Sequence, residues 1–235
     1  MKQSKNNIAI IPARGGSKRI PRKNIKLFFD KPIIAYAIET AIESGLFDEV
    51  MVSTDDAEIA ETAIKYGAKV PFLRSDKNSD DFASTADVII EVLNQYKSIF
   101  DIKFNSGCCI YPTSPLVKVN HLREGYRLLE KNNFDSVFPI VAFSYPVWRG
   151  IVIDDENLIS MQWPEYYDSR SQDLKTIYHD AGQWYWFNSN VLKIEKKLYM
   201  SNSYGLILND IEVQDIDNEI DWQMAELKYK LNRST

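Results

Sequence analysis

Apolar residues run along the first two thirds of the chain in two alternating rhythms. Short continuous runs, Ile8 to Ala13, Val50 to Ser53, Gly107 to Tyr111 and Ser136 to Val141, have the length of strands buried on both faces. Between them Ile34, Ala37, Ile38, Ala41 and Ile42 keep helical spacing, as do Ile59, Ala60, Ala63 and Ile64, and then Val88, Ile89, Val92, Leu93 and Tyr96. A further helix is predicted over Asn120 to Lys131. Gly45 and Gly67 stand where the first two helices must end, and Asp56 and Ser84 or Thr85 stand where the second and third can be capped. Val70 to Leu73 reads as a short strand or edge. The alternation predicts an α/β fold around a mainly parallel sheet covered on both faces.

From Ser144 the rhythm breaks. Trp148, Trp163, Tyr166, Tyr167, Tyr178, Trp184, Tyr185 and Trp186 crowd a stretch without helical period, which predicts an excursion from the sheet such as a β-rich flap or an interface arm. Glu212 to Asp217 reads as extended. A closing amphipathic helix carries Ile220, Met224, Leu227 and Leu231 as its apolar stripe.

The 235 residues fit one domain, 1–235, with room for a small insertion, and 45% hydrophobic and 26% charged residues are the composition of a globular protein. A net charge of −5 argues against a phosphate-backbone binder, so no nucleic-acid partner is expected. The polar start and the lack of any long apolar run argue against a leader or a membrane partner. Cys108 and Cys109 are adjacent in a predicted strand and point to opposite faces, which suits a reduced, cytoplasmic protein. Two distant histidines, His121 and His179, make no zinc set with that pair.

Against this acidic background Arg14, Lys18, Arg19, Arg22, Lys23 and Lys26 follow one another with no acidic residue between them. They surround Gly15-Gly16-Ser17, at the turn between the first strand and the next element. Glycine there lets backbone N–H groups approach phosphates. The spacing is neither the dinucleotide fingerprint nor the P-loop, so the residues alone leave two readings open, a triphosphate loop of another design or a basic turn. Near the other end, Asp215-Ile216-Asp217 puts two carboxylates on one face of an extended segment. That arrangement can bind one hard cation, or Asp217 can simply cap the last helix.

The run IIPARGGSKRIPRKNI resembles the signature of CMP-sugar synthetases that act on sialic and related nonulosonic acids. The resemblance spans the chain and implies a three-layer, Rossmann-like nucleotidyltransferase with an inserted dimerisation and sugar-binding arm at about 144–193, hence a homodimer. It implies CTP and a nonulosonic acid as partners and Mg²⁺ as cofactor. Carried over by position, Ala13, Arg14, Gly16, Ser17 and Asn24 hold the nucleotide, with Lys18 and Lys23 near the triphosphate and reacting centre. Arg74 and the segment Asp81-Phe82-Ala83-Ser84-Thr85 match a second family element, in which Arg74 reads the cytosine edge and Thr85 reaches the nucleotide. QDIDNEIDW matches the magnesium-binding Asp-x-Asp element, which makes Asp215 and Asp217 the metal ligands and leaves Asp221 as a surface residue. Arg14, Lys18, Lys23, Asp215 and Asp217 are then the catalytic set.

On the sugar side the match departs from the sialic acid enzymes. Tyr111 of Tyr111-Pro112-Thr113 stands where they carry Gln, and Ala181 where they carry Asn. Cys108-Cys109-Ile110-Tyr111 together with QDLKTIYHDAG is similar to the branch acting on pseudaminic acid. That likeness implies sugar contacts from Tyr111, Thr113, Arg170, Gln172, Tyr178 and Tyr185, although any one aromatic of the arm equally suits an interface. Legionaminic or sialic acid remains as the alternative sugar. A metal-dependent glycosyltransferase is the alternative class, and a nucleotide-binding regulator the non-enzymatic one.

Overall fold

A computed structural model describes residues 6–17, 19–79 and 83–233. Among these described residues eleven strands and six α-helices are formed; the strands are β1 (Asn7–Pro12), β2 (Leu27–Phe28), β3 (Lys31–Pro32), β4 (Glu49–Ser53), β5 (Ser106–Ile110), β6 (Ser136–Ala142), β7 (Ile151–Ile153), β8 (Ile159–Met161), β9 (Tyr178–Asp180), β10 (Trp184–Asn188) and β11 (Ser203–Ile207). The six α-helices are α1 (Ile33–Ser44), α2 (Ala57–Lys65), α3 (Thr85–Phe100), α4 (Val119–Asn132), α5 (Ser189–Glu195) and α6 (Glu219–Arg233). The main sheet runs β11-β6-β10-β5-β1-β4, with β9 on the same edge of β6 as β10. β1 pairs parallel with β4 and β5, and β11 parallel with β6, while β10 and β9 run antiparallel.

Strand alternation sorts the core into two layers. Ala9, Ile11, Cys108, Trp184 and Trp186 face α1, α2 and α4, whereas Ile8, Ile10, Cys109, Tyr185 and Phe187 face α3 and α5. The three-layer α/β architecture is therefore present. The helix ends follow the chemistry read above: Asp56 accepts from the Ile59 N–H at 3.0 Å, Ser84 accepts from the Asp87 N–H at 3.1 Å, and Gly45 and Gly67 take positive φ. Both cysteines are free and fully buried. Among the described residues no helix is long and apolar enough to cross a membrane.

Three expectations change. Val70 to Leu73 forms no strand; pairing beside β4 stops at an isolated bridge from Met51 to Lys69, and Pro71 interrupts any ladder beyond it. The closing helix turns the other way round from its aliphatic stripe. Ile220, Met224, Leu227 and Leu231 are exposed, and Trp222, Ala225 and Tyr229 pack inward instead, because the aromatic rings fill more of the available space. Finally, the excursion is narrower than 144–193. Trp184, Tyr185 and Trp186 form the antiparallel strand β10 at the centre of the sheet and α5 covers it, so residues 143–177 are what lies outside. Within that stretch the β7–β8 hairpin leaves Ile151, Val152, Ile153 and Ile159 exposed, and Trp148 packs on Trp163 and Tyr166.

A third, smaller core matters most for the site. Ile20, Phe28, Ile33, Tyr36, Ile216, Trp222 and Ala225 cluster together, with Phe28 edge-on to Trp222 at 5.6 Å and to Tyr229 at 5.5 Å. This cluster joins the basic loop near the start of the chain to the acidic segment near its end.

Candidate functional site

The turn after β1 is held from below by two carboxylates at the end of β4. The Gly15 N–H donates to Asp55 Oδ1 at 2.9 Å, and Arg22 donates to Asp56 Oδ2 at 2.5 Å and also pairs with Glu58. Arg22 adopts φ 54°, a left-handed conformation that the two-carboxylate clamp helps to maintain. The Asp56 carboxyl is held down to about 2, first by hydrogen bonding from Arg22. A Cβ on Gly15 would fall 2.8 Å from Asp56 Oδ2, so glycine is required there by close approach. Both aspartates sit just beyond the carboxyl end of a parallel strand, where α/β folds place their ligand sites. Asp55 went unnoticed in the sequence because only Asp56 has the spacing of a helix cap.

Above the clamp, a cavity of about 460 Å³ is lined by Arg14, Ser17, Lys23, Asn24, Tyr111 and Thr113, among others. Buried Asn24 donates to the Arg14 carbonyl at 2.9 Å and so fixes the loop across the cavity. Ala13 has its side chain in the core and its N–H on the Ser53 carbonyl at 2.9 Å, which leaves only its own carbonyl for a ligand. Lys18 lies outside the described residues, as do Asp81 and Phe82 of the second motif.

Gly16 differs from Gly15. It is exposed, a Cβ there would find nothing within 4 Å, and its φ lies outside the left-handed region. Nothing in the protein itself demands glycine at this position. Gly16→Ala is therefore expected to leave the melting temperature unchanged and to weaken triphosphate binding by about tenfold, since an added methyl would meet only the ligand. Calorimetric titration with CTP alongside a thermal melt checks this. Unchanged CTP affinity would remove Gly16 from the ligand's footprint.

Ile216 is fully buried in the third core, which holds Asp215 and Asp217 beside two cations that line the cavity, Lys23 and Arg19. Lys23 donates to the Ile216 carbonyl at 2.5 Å, and Arg19 donates to Asp217 Oδ1 at 2.6 Å. Asp215 shows surface to solvent but stands in a cleft whose walls displace much of its water. That desolvation, then the charge of Asp217, raises its carboxyl above the usual range, and Lys23 partly offsets the rise. The Lys23 ammonium is itself pushed down by burial, against the pull of Asp217 and Asp215. Gly182, at φ 61°, brings its backbone so close that a Cβ would stand 3.4 Å from Asp215 Cγ.

Asp221 is more than a surface residue. Its Oδ2 accepts from the N–H groups of Asp217 at 2.9 Å and Asn218 at 3.0 Å, while Asn218 Oδ1 accepts from those of Ile220 and Asp221. This reciprocal cap starts α6 and sets the backbone of the acidic pair. Its sequence signal was present, an Asn with an acidic residue three positions on, but was obscured by the aspartates around it.

Tyr111 forms a wall between two cavities. Its hydroxyl lies 3.2 Å from Thr85 Oγ1, which places Thr85 in a second cavity of about 340 Å³ with Asp180, Tyr185, Lys196 and Tyr199, and outside the first. Arg74 is buried, donates to Ser53 O at 2.6 Å and Ser53 Oγ at 3.1 Å, and does not line the first cavity. Arg170, Gln172 and Tyr178 are exposed and line neither; Gln172 borders a separate hollow with Phe143 and Leu174.

The cytidylyltransferase family model matches residues 8–224. The chain is 43% identical over 232 residues to the pseudaminic acid cytidylyltransferase of Campylobacter jejuni subsp. jejuni serotype O:23/36, covering 97% of this chain and 98% of that one. It is 35% identical over 234 residues to the CMP-N,N'-diacetyllegionaminic acid synthase of Legionella pneumophila, covering 96% and 97%. Among solved structures, CMP:2-keto-3-deoxy-manno-octonic acid synthetase in complex with CTP superposes with a TM-score of 0.68 at 16% identity, covering 97% of this chain and 99% of that one, a likeness of fold.

Proposed function

Because the chain belongs to the cytidylyltransferase family, we propose that it transfers CMP from CTP to the anomeric C2 hydroxyl of pseudaminic acid and releases pyrophosphate. The observation that carries this reading is that the basic glycine turn and the Tyr111–Thr113 wall share one cavity, two of whose lining cations, Lys23 and Arg19, bond to the acidic segment anchored by Ile216. A bond forms between the C2 oxygen and the α-phosphorus, the bond from that phosphorus to pyrophosphate breaks, and the hydroxyl loses its proton.

For an in-line displacement the protein's work is positioning and charge neutralisation. Arg14, Lys18 and Lys23 neutralise the triphosphate, Gly16 and Ser17 bring backbone and hydroxyl donors to it, and Asn24 and Ala13 hold the turn and the ribose. Arg74 is assigned to the cytosine edge, with its guanidinium already oriented by Ser53. Thr85, behind Tyr111 and outside the first cavity, is assigned to orienting the Tyr111 hydroxyl instead of to a direct nucleotide contact.

Asp215 and Asp217 suit Mg²⁺ as an all-oxygen pair in a cleft that disfavours the charge on Asp215, and substrate oxygens and water complete such a site. When bound, that ion supplies charge stabilisation and orientation for the sugar hydroxyl. Lys23 and Arg19 hold the pair in place from either side.

We assign the 143–177 arm to a homodimer contact, supported by the exposed apolar β7–β8 hairpin and a hollow of about 590 Å³ beside Ile151, Ile159 and Tyr167. In that pairing Arg170, Gln172 and Tyr178, which miss their own chain's cavity, reach the sugar bound by the other copy. Tyr111, Thr113 and Tyr185 contact the sugar within one chain. Dependence on CTP and two free, buried thiols support a cytoplasmic assignment.

Pyrophosphate release measured with CTP and each of pseudaminic, legionaminic and sialic acid tests the proposal. Turnover is expected to be fastest with pseudaminic acid. Release only with another sugar would correct the substrate, and no release with any of the three would remove the activity.

A further inference from the structure

The second cavity, behind Tyr111, has a composition that the nucleotide chemistry does not use. Asp180 is the one carboxylate among its lining residues. Tyr185, whose ring is buried, donates its hydroxyl to Asp180 Oδ2, and the Tyr199 hydroxyl is turned to the same carboxylate. An ionised carboxylate has about four acceptor positions. Two tyrosine hydroxyls leave about two of them open toward the cavity.

A buried tyrosine hydroxyl needs only a carbonyl for its partner, so a charged group in this place is more than packing requires. Asp180 is not a further ligand for the acidic pair, since among the described residues no three His, Cys, Asp or Glu side chains come together to hold one ion. Lys196 and Lys197, which donate and do not accept, and Leu198 line it as well; Lys197 also pairs with Glu195 at 3.2 Å. The lining thus offers an acceptor to a proton donor, cations to an acceptor, and an aliphatic side chain.

Resting on the function proposed above, we infer that this cavity receives an acylamido arm of the sugar, with Asp180 accepting the amide N–H, a lysine meeting the acyl oxygen, and Leu198 against the methyl. Asp180 is then a specificity-determining residue that separates sugars carrying an acylamido group from those carrying a hydroxyl at the same carbon. A hydroxyl can donate to the carboxylate as well, but it brings neither the oxygen nor the methyl. The selectivity therefore depends on the carboxylate acting together with the lysines and Leu198.

The test compares kcat/KM at saturating CTP for pairs of nonulosonic acids that differ only by acetamido or hydroxyl at one carbon, at C5 and at C7 in turn. The unmodified enzyme is expected to favour the acetamido member of one pair by about tenfold or more, as losing a charge-assisted hydrogen bond implies. In Asp180→Asn the amide can still accept from Tyr185 but turns its NH₂ toward the sugar N–H, so the preference should fall toward unity through the sugar KM. The KM for CTP should stay within about twofold. The double variant Asp180→Ala with Tyr185→Phe removes the carboxylate and the buried hydroxyl together, leaves the half-exposed Tyr199 hydroxyl to water, and should lose the preference in the same way.

Retention of the preference in both variants, or an equal fall in kcat for both members of each pair, overturns the inference and leaves the activity standing. Absence of turnover in the unmodified enzyme with every sugar overturns instead the function on which the inference rests.

Discussion

Asp215→Ala is expected to lower kcat by about 10³-fold or more while the protein still folds and still binds CTP. Ile216, not Asp215, anchors the segment in the third core, and the cap from Asp221 fixes the backbone on the other side. Removing the carboxylate therefore leaves the scaffold in place. The cleft already disfavours the charge on Asp215, and Asp217 adds to the cost, so the melting temperature of the variant should equal or exceed that of the parent.

Asp217→Ala should abolish turnover as well. Its pair with Arg19 is largely exposed and adds little to stability, so this variant too should melt near the parent temperature. Steady-state pyrophosphate release, a thermal melt and calorimetric titration with CTP separate these effects. Chelation should silence the parent enzyme and added Mg²⁺ should restore it, whereas neither variant should recover at the same concentration. Full activity in either variant would remove the metal assignment.

Lys23→Met should cost about 10²- to 10³-fold in kcat, with the KM for the sugar little changed. This is the one described cation that both lines the cavity and bonds the backbone between the two aspartates, and it is partly withdrawn from water. Its charge acts on Asp215 and, in the proposed reaction, would act on the triphosphate as well. Methionine keeps most of the stem and loses only the ammonium. Lys23→Arg should not rescue, because a planar guanidinium cannot place a single donor on the Ile216 carbonyl within the same space. Near-parental kcat in Lys23→Met would remove Lys23 from the reacting centre and leave it a structural tie.

The cations around Gly15 and Gly16 were conspicuous in the sequence because they stand together in an acidic chain, and β1, β4 and β5 because continuous apolar runs of strand length have few other uses. The caps at Asp56, Ser84, Gly45 and Gly67 were legible for a similar reason, since each depends on side-chain or φ requirements within a few residues. Trp184 to Phe187 defeated that kind of reading. An aromatic run reads alike on an exposed arm and in a central strand, and only pairing with β5 and β6 distinguishes the two. The closing helix failed likewise, because its aliphatic stripe and its aromatic face compete for one core and the outcome rests with Phe28, far away in sequence.

By itself the sequence determined the alternation of strands and helices, the basic glycine turn and the presence of an acidic pair, all of which follow from residues near one another in the chain. Tertiary structure alone decided that Lys23 and Arg19 of the turn's cavity bond to the acidic segment, that Asp55 and Asp56 clamp the turn from below, that Tyr111 divides two cavities, and that Asp180 faces the second. Those are relations between residues dozens to nearly two hundred positions apart. They are set by which apolar side chains reach the third core together, Ile20, Phe28, Ile216 and Trp222, a packing problem that local spacing does not encode.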